Sequence, residues 1–127
     1  MGTYIMKFHN EVRQQLIQKV QEEFNRAYPY LKVEFGRTSH PPAIGMETML
    51  QHTDEQVRES ARDILNKDAR MSDNLKVSDL ETALGHLFGT TTQVYRKSGN
   101  FWLETRMTRD WTLKQQNDHG RDIAYLL

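Results

Sequence analysis

Residues 11–36 read EVRQQLIQKVQEEFNRAYPYLKVEFG, and two periods succeed one another inside this stretch. Val12, Leu16, Ile17, Val20 and Phe24 recur at helical spacing among Glu, Gln, Lys and Arg, the pattern of an amphipathic helix over 11–27. Pro29 ends it, and Leu31, Val33 and Phe35 then alternate with Lys32, Glu34 and Gly36, the period of a half-buried strand. Upstream, Tyr4 to His9 alternates weakly and is expected to form a short strand, with Asn10 as the N-cap of the helix.

The same order returns further on. Ser78 and Glu81 have the capping-box spacing, Leu80, Leu84, Leu87 and Phe88 supply an apolar helix face, and Gly89 stops it. Thr92–Lys97 and Asn100–Arg106 are rich in β-formers and flank Ser98-Gly99, so a C-terminal β-hairpin is expected. Leu16, Val20 and Phe24 share the spacing of Leu80, Leu84 and Phe88, and Val33 and Val94 follow in the respective strands. Either two helix–strand halves, 1–37 and 76–127, are joined by 38–75, or two ordinary amphipathic helices match by their period alone.

Between them, Pro41, Pro42 and Gly45 make 38–52 a loop with a short helical turn around Met46–Leu50. Thr53 and Gln56 form a capping-box pair ahead of Val57, Ala61, Ile64 and Leu65, a further helix, and 67–76 is a polar connection. Thr112 with Gln115 is the last such pair, before Leu113, Gln116 and Ile123, and Gly120 weakens that final helix near its end. Residues 1–127 are therefore expected to be a single α+β domain, its helices packed on a small antiparallel or mixed sheet of about four strands. Strand order stays open, as does a parallel pair closer to an α/β arrangement.

The stretch from Val94 to Thr105, followed by Asp110, Trp111, Thr112 and Leu113, resembles the C-terminal part of small uncharacterised bacterial α/β proteins of no assigned function. The resemblance implies that hairpin and helix form one structural unit. It implies no activity.

Composition excludes several classes. A chain of 127 residues, 37% hydrophobic and 27% charged, can bury one modest core. Seventeen basic residues balance seventeen acidic ones, so no bulk charge recruits a polyanion, and a nucleic-acid role must rest on a local patch. With no cysteine there is no disulfide framework, thiolate metal site or thiol nucleophile, which fits the cytoplasm. Lys7 and His9 interrupt the N-terminal run, Met6 stands where a myristoylation motif wants Ser or Thr, and no stretch approaches the roughly 18 apolar residues of a membrane span. A soluble cytoplasmic protein without membrane contact is expected.

Catalytic patterns are missing as well. His9, His40, His52, His86 and His119 include no HxxxH pair that would set two ligands on one helix face, so no metal or cofactor is expected. Ser39, Ser60, Ser72, Ser78 and Ser98 lie in no nucleophile elbow, and the glycines are too isolated for a phosphate loop. Glu22-Glu23 and Asp54-Glu55 are helix neighbours whose side chains point apart. The chain is expected not to be an enzyme, with a small acid–base enzyme as the second alternative, because carboxylate pairs meet only in the fold.

The hairpin carries the functional expectation. With Ser98-Gly99 as the turn, Lys97 faces Asn100, Arg96 faces Phe101, Tyr95 faces Trp102 and Val94 faces Leu103. One side then turns Val94, Phe101 and Leu103 to a core, while the other presents Gln93, Tyr95, Lys97, Trp102, Glu104 and Arg106. Rings among cations can stack bases and hold phosphates. The same residues anchor protein interfaces. A third outcome is that the helix beginning near Leu113 covers this side and buries Tyr95 and Trp102. The candidate binding residues are Tyr95, Lys97, Trp102, Arg106, Arg109 and Trp111. The expected function is a non-enzymatic binding or adaptor domain acting through protein contacts or self-association as a homodimer; single-stranded nucleic-acid binding is the alternative.

Overall fold

The computed structural model describes residues 2–36, 59 and 73–126. Helix α1 spans Gly2–Ala27, strand β1 Leu31–Phe35, helix α2 Val77–Phe88, strand β2 Thr92–Ser98, strand β3 Phe101–Glu104 and helix α3 Leu113–Leu126, with a 3-10 turn at Arg106–Thr108. The loop expected over 38–52, the helix expected after Thr53 and most of the 67–76 connection lie outside the described residues.

Two local expectations are overturned. Tyr4–His9 is helical rather than a strand, and Asn10 lies inside α1 instead of capping it. Tyr4, Phe8 and Val12 stand at the four-residue spacing that Leu16, Val20 and Phe24 continue, and this longer period wins over a weak alternation. The Ser78/Glu81 capping box does not form either, since α2 begins at Val77 and its N-cap, Lys76, makes no side-chain capping bond. The Val77 and Ser78 N–H groups donate instead to the carbonyls of Trp111 at 3.0 Å and Arg109 at 2.9 Å. A distant segment thus satisfies the first donors of the helix and leaves Glu81 available elsewhere.

Other signals are realised as read. Gly89, at φ 66°, ends α2 in the left-handed region that favours glycine. At the start of α3 the Gln115 N–H donates to Thr112 Oγ1 at 3.1 Å and the Thr112 N–H to Gln115 Oε1 at 2.8 Å, a reciprocal capping box.

The strands form an antiparallel sheet in the order β1-β2-β3, and with the helices this is an α+β arrangement. Among the described residues there are three strands where about four were expected, the segment counted as the first being part of α1, and there is no parallel pair. Leu31, Val33 and Val94 meet Leu16, Ile17, Val20 and Phe24 of α1, Val77, Leu80, Leu84 and Phe88 of α2, and Leu113 of α3 in one core. Val33 and Val94 are direct register partners, so both helix–strand units meet at the centre of the sheet. Arg13 Nε ties the units together by donating to the Phe88 carbonyl at 3.1 Å, where a cation also suits the negative end of α2.

Tyr28 closes this core behind Phe24, with ring centroids 5.6 Å apart, and its hydroxyl donates to Asp73 at 3.0 Å. Burial and then the neighbouring Asp73 carboxylate push the phenol above its ordinary value. A raised folded-state pKa means that this contribution is complete below the ordinary phenol value of about 10 and is lost as pH climbs beyond it. Urea unfolding measured from neutral to strongly alkaline pH should therefore show stability falling above about pH 10. Tyr28→Phe should flatten that limb; an equally steep decline in the variant would contradict the assignment.

Candidate functional site

Alternation along the three strands sorts their side chains into two faces. Leu31, Val33 and Val94 point to the helices, and Lys32, Glu34, Gln93, Tyr95, Lys97, Trp102 and Glu104 occupy the opposite face. Ser98 pairs with Phe101, so Gly99-Asn100 is the connection, Lys97 opposes Trp102 and Tyr95 opposes Glu104. This corrects the pairing expected from a Ser98-Gly99 turn. Gly99 has φ 62°, and the expected turn would have put Ser98 in the position where glycine now accepts that angle. Because each partner moves by two residues, no side chain changes face.

The position of α3 decides whether that helix covers the polar face. Arg96 belongs to the core side, opposite Leu31 in register, and its Nη1 donates to Gln116 Oε1 of α3 at 2.9 Å. Its guanidinium also lies 5.9 Å from the Trp111 ring centroid. Burial holds this group below its ordinary pKa. At Gly120 a Cβ would stand 2.8 Å from Tyr30 Cβ and 3.3 Å from Arg96 Cγ, so glycine is what lets α3 approach the sheet. Gly120 therefore seats α3 against the sheet. The helix lies on the side of α1 and α2, and the covering of Tyr95 and Trp102 by this helix does not occur; both rings are half-buried.

The face that α1, α2 and α3 leave uncovered has internal order. Lys32 reaches across the central strand, its Nζ 4.9 Å from the Trp102 ring centroid and 5.5 Å from that of Tyr95, and Lys97 Nζ lies 5.9 Å from Trp102. Cations over both rings hold them in place. Lys32 also pairs with Glu34 at 3.5 Å, and Arg106 with Glu104 at 3.6 Å on the rim.

Of the six candidate residues, Tyr95, Lys97 and Trp102 come together and Arg106 joins them through Glu104. Arg109 and Trp111 stand apart. Arg109 Nε donates at 3.2 Å to Oε1 of buried Glu81, whose Oε2 accepts the Val94 N–H at 2.9 Å. Trp111 meets His119 edge-on at 5.6 Å, beside Arg96 on the helix side. Lys32 and Glu34 are the face residues that the hairpin alone could not supply. Alternation in β1 marks them as outward, but only the pairing of β1 with β2 brings them beside Tyr95.

Compared with known proteins, the chain matches no family model, and it has no match among curated proteins or solved structures. Among the described residues, no helix is long and apolar enough to cross a membrane, and no three His, Cys, Asp or Glu side chains are grouped to hold a metal.

The two classes of cation should separate by stability. Arg109→Ala leaves Glu81 buried without its cation and should cost about 1–3 kcal/mol. Lys97→Ala removes an exposed charge and should stay within about 0.5 kcal/mol of the parent. Denaturant unfolding of both variants checks this, and equal losses would contradict the division.

Proposed function

We propose that this chain is a cytoplasmic, non-enzymatic binding or adaptor domain whose open sheet face takes a protein partner. The observation that carries the reading is the patch in which Lys32 and Lys97 hold Trp102 and Tyr95 half-buried on a face that α1, α2 and α3 leave uncovered. Trp and Tyr contribute most per residue to protein interfaces when a polar rim excludes water around them, and Glu34, Glu104 and Arg106 form such a rim here.

The charge balance favours protein over nucleic acid. Two of the three cations on this face, Lys32 and Arg106, already pair with carboxylates, and the whole chain has no net charge. Single-strand binding depends on a cationic track along the backbone, which paired cations supply poorly.

Selection from a displayed peptide library against the full chain tests the proposal. Selected peptides should lose at least about tenfold in affinity for the Tyr95→Ala/Trp102→Ala double variant while its unfolding curve is retained, with little change on adding salt. If the library yields no such peptides, or if a mixed-sequence single-stranded oligonucleotide binds with a steep salt dependence through Lys97 and Arg106, the protein-partner reading fails.

A further inference from the structure

The two edges of the sheet are finished differently. Along β1, Asn25 Nδ2 and Gln21 Nε2 of α1 donate to the outward carbonyls of Leu31 and Val33 at 2.9 and 3.1 Å. Along β3 the backbone parity follows from the Thr105 N–H, which donates to the Val94 carbonyl at 3.3 Å. Phe101 and Leu103 share that parity and turn their backbone groups toward β2; Trp102 and Glu104 turn theirs outward. Among the described residues nothing pairs with them.

The side chains at this edge are also uncovered. On the helix side Phe101 is 73% exposed and Leu103 45%, and Met107 in the following turn is 94% exposed. Proteins ordinarily charge, shorten or cover an apolar edge, because unpaired N–H and C=O groups beside apolar side chains template another strand. Among the described residues one edge is closed by side chains of α1, while the other keeps both its backbone groups and its apolar side chains available.

We propose that a second copy of this chain pairs with β3, antiparallel about a two-fold axis through Trp102, joining two sheets into one. A two-fold antiparallel pair keeps each face on its own side and must bond residues whose backbone groups point outward, which Trp102 against its own counterpart satisfies. In that register Phe101 opposes Leu103 of the second copy, and symmetry repeats this apolar pair. Glu104 opposes Asn100, so no like charges face each other, whereas the register centred on Glu104 sets two carboxylates together. Charge therefore selects the register, and a chain of zero net charge presents no long-range repulsion to its own copy. An edge of four residues buries less than the roughly 800 Å² per partner of a standard interface, so the dimer forms with rising concentration rather than permanently. The pairing uses the backbone of Trp102 and stands independently of a partner on the ring face; it makes the two ring faces continuous.

Sedimentation velocity of the full chain across a wide concentration range should show monomer passing to dimer. Phe101→Lys and Leu103→Lys, at exposed side chains whose fold is checked by circular dichroism, should each raise the dissociation constant at least about tenfold. Since the chain has no cysteine, Trp102→Cys gives a single thiol about 5.5 Å, Cα to Cα, from its counterpart, within disulfide reach, and should oxidise to a covalent dimer where Glu104→Cys does not. A parent that sediments as monomer throughout overturns the proposal, as does a dimer indifferent to both lysines. Cross-linking of Glu104→Cys as readily as Trp102→Cys overturns the register.

Discussion

Burial of the Glu81 carboxylate constrains the rest of this structure. One oxygen accepts the Val94 N–H at 2.9 Å and the other the Arg109 Nε at 3.2 Å, while the residue's own carbonyl accepts the Thr92 hydroxyl. A charge taken out of water is tolerated only when such partners surround it, so α2, β2 and the segment around Arg109 must assemble together. The arrangement also sets where the sheet ends. Because Glu81 takes the Val94 N–H, Thr105 completes only half of a ladder pair, donating to the Val94 carbonyl through its N–H at 3.3 Å and its hydroxyl at 2.8 Å, and the chain leaves the edge there.

The departing segment returns to α2 and fixes α3. Carbonyls of Arg109 and Trp111 accept the first N–H groups of α2, Lys76 and Thr112 form an isolated bridge, and the Thr112/Gln115 box then starts α3 on the core side. From there Gln116 donates to the Thr108 carbonyl at 2.8 Å and accepts from Arg96, while Gly120 brings the helix against Tyr30. Helices α1, α2 and α3 therefore share one side of the sheet. The opposite face, with Tyr95 and Trp102 steadied by Lys32 and Lys97, is left as the surface on which binding is proposed.

Much of this architecture was legible because its signals are local. The stripe from Leu16 to Phe24, the alternation from Leu31 to Phe35, the stop at Gly89 and the cap at Thr112 each depend on residues a few positions apart. What was not legible depended on distant partners. Ser78 and Glu81 have the spacing of a capping box, but Trp111 and Arg109 supply the helix start and Glu81 turns to β2. Lys32 enters the candidate face only through the pairing of β1 with β2, and Arg109 and Trp111 leave it because the segment after β3 folds toward the helices. The pairing error across Gly99-Asn100 did little harm, since a shift of two residues preserves the face of Trp102.

Binding at this face requires that α1, α2 and α3 leave it open, and of the two tryptophans Trp102 lies on it while Trp111 lies on the helix side. Acrylamide quenching of tryptophan emission in the Trp111→Phe protein, held at a concentration where it sediments as monomer, isolates Trp102. The expected result is emission from a partly hydrated ring that the quencher reaches. A blue-shifted Trp102 that acrylamide cannot reach in the monomer would contradict it, because some part of the chain would then cover the face that α1, α2 and α3 leave open.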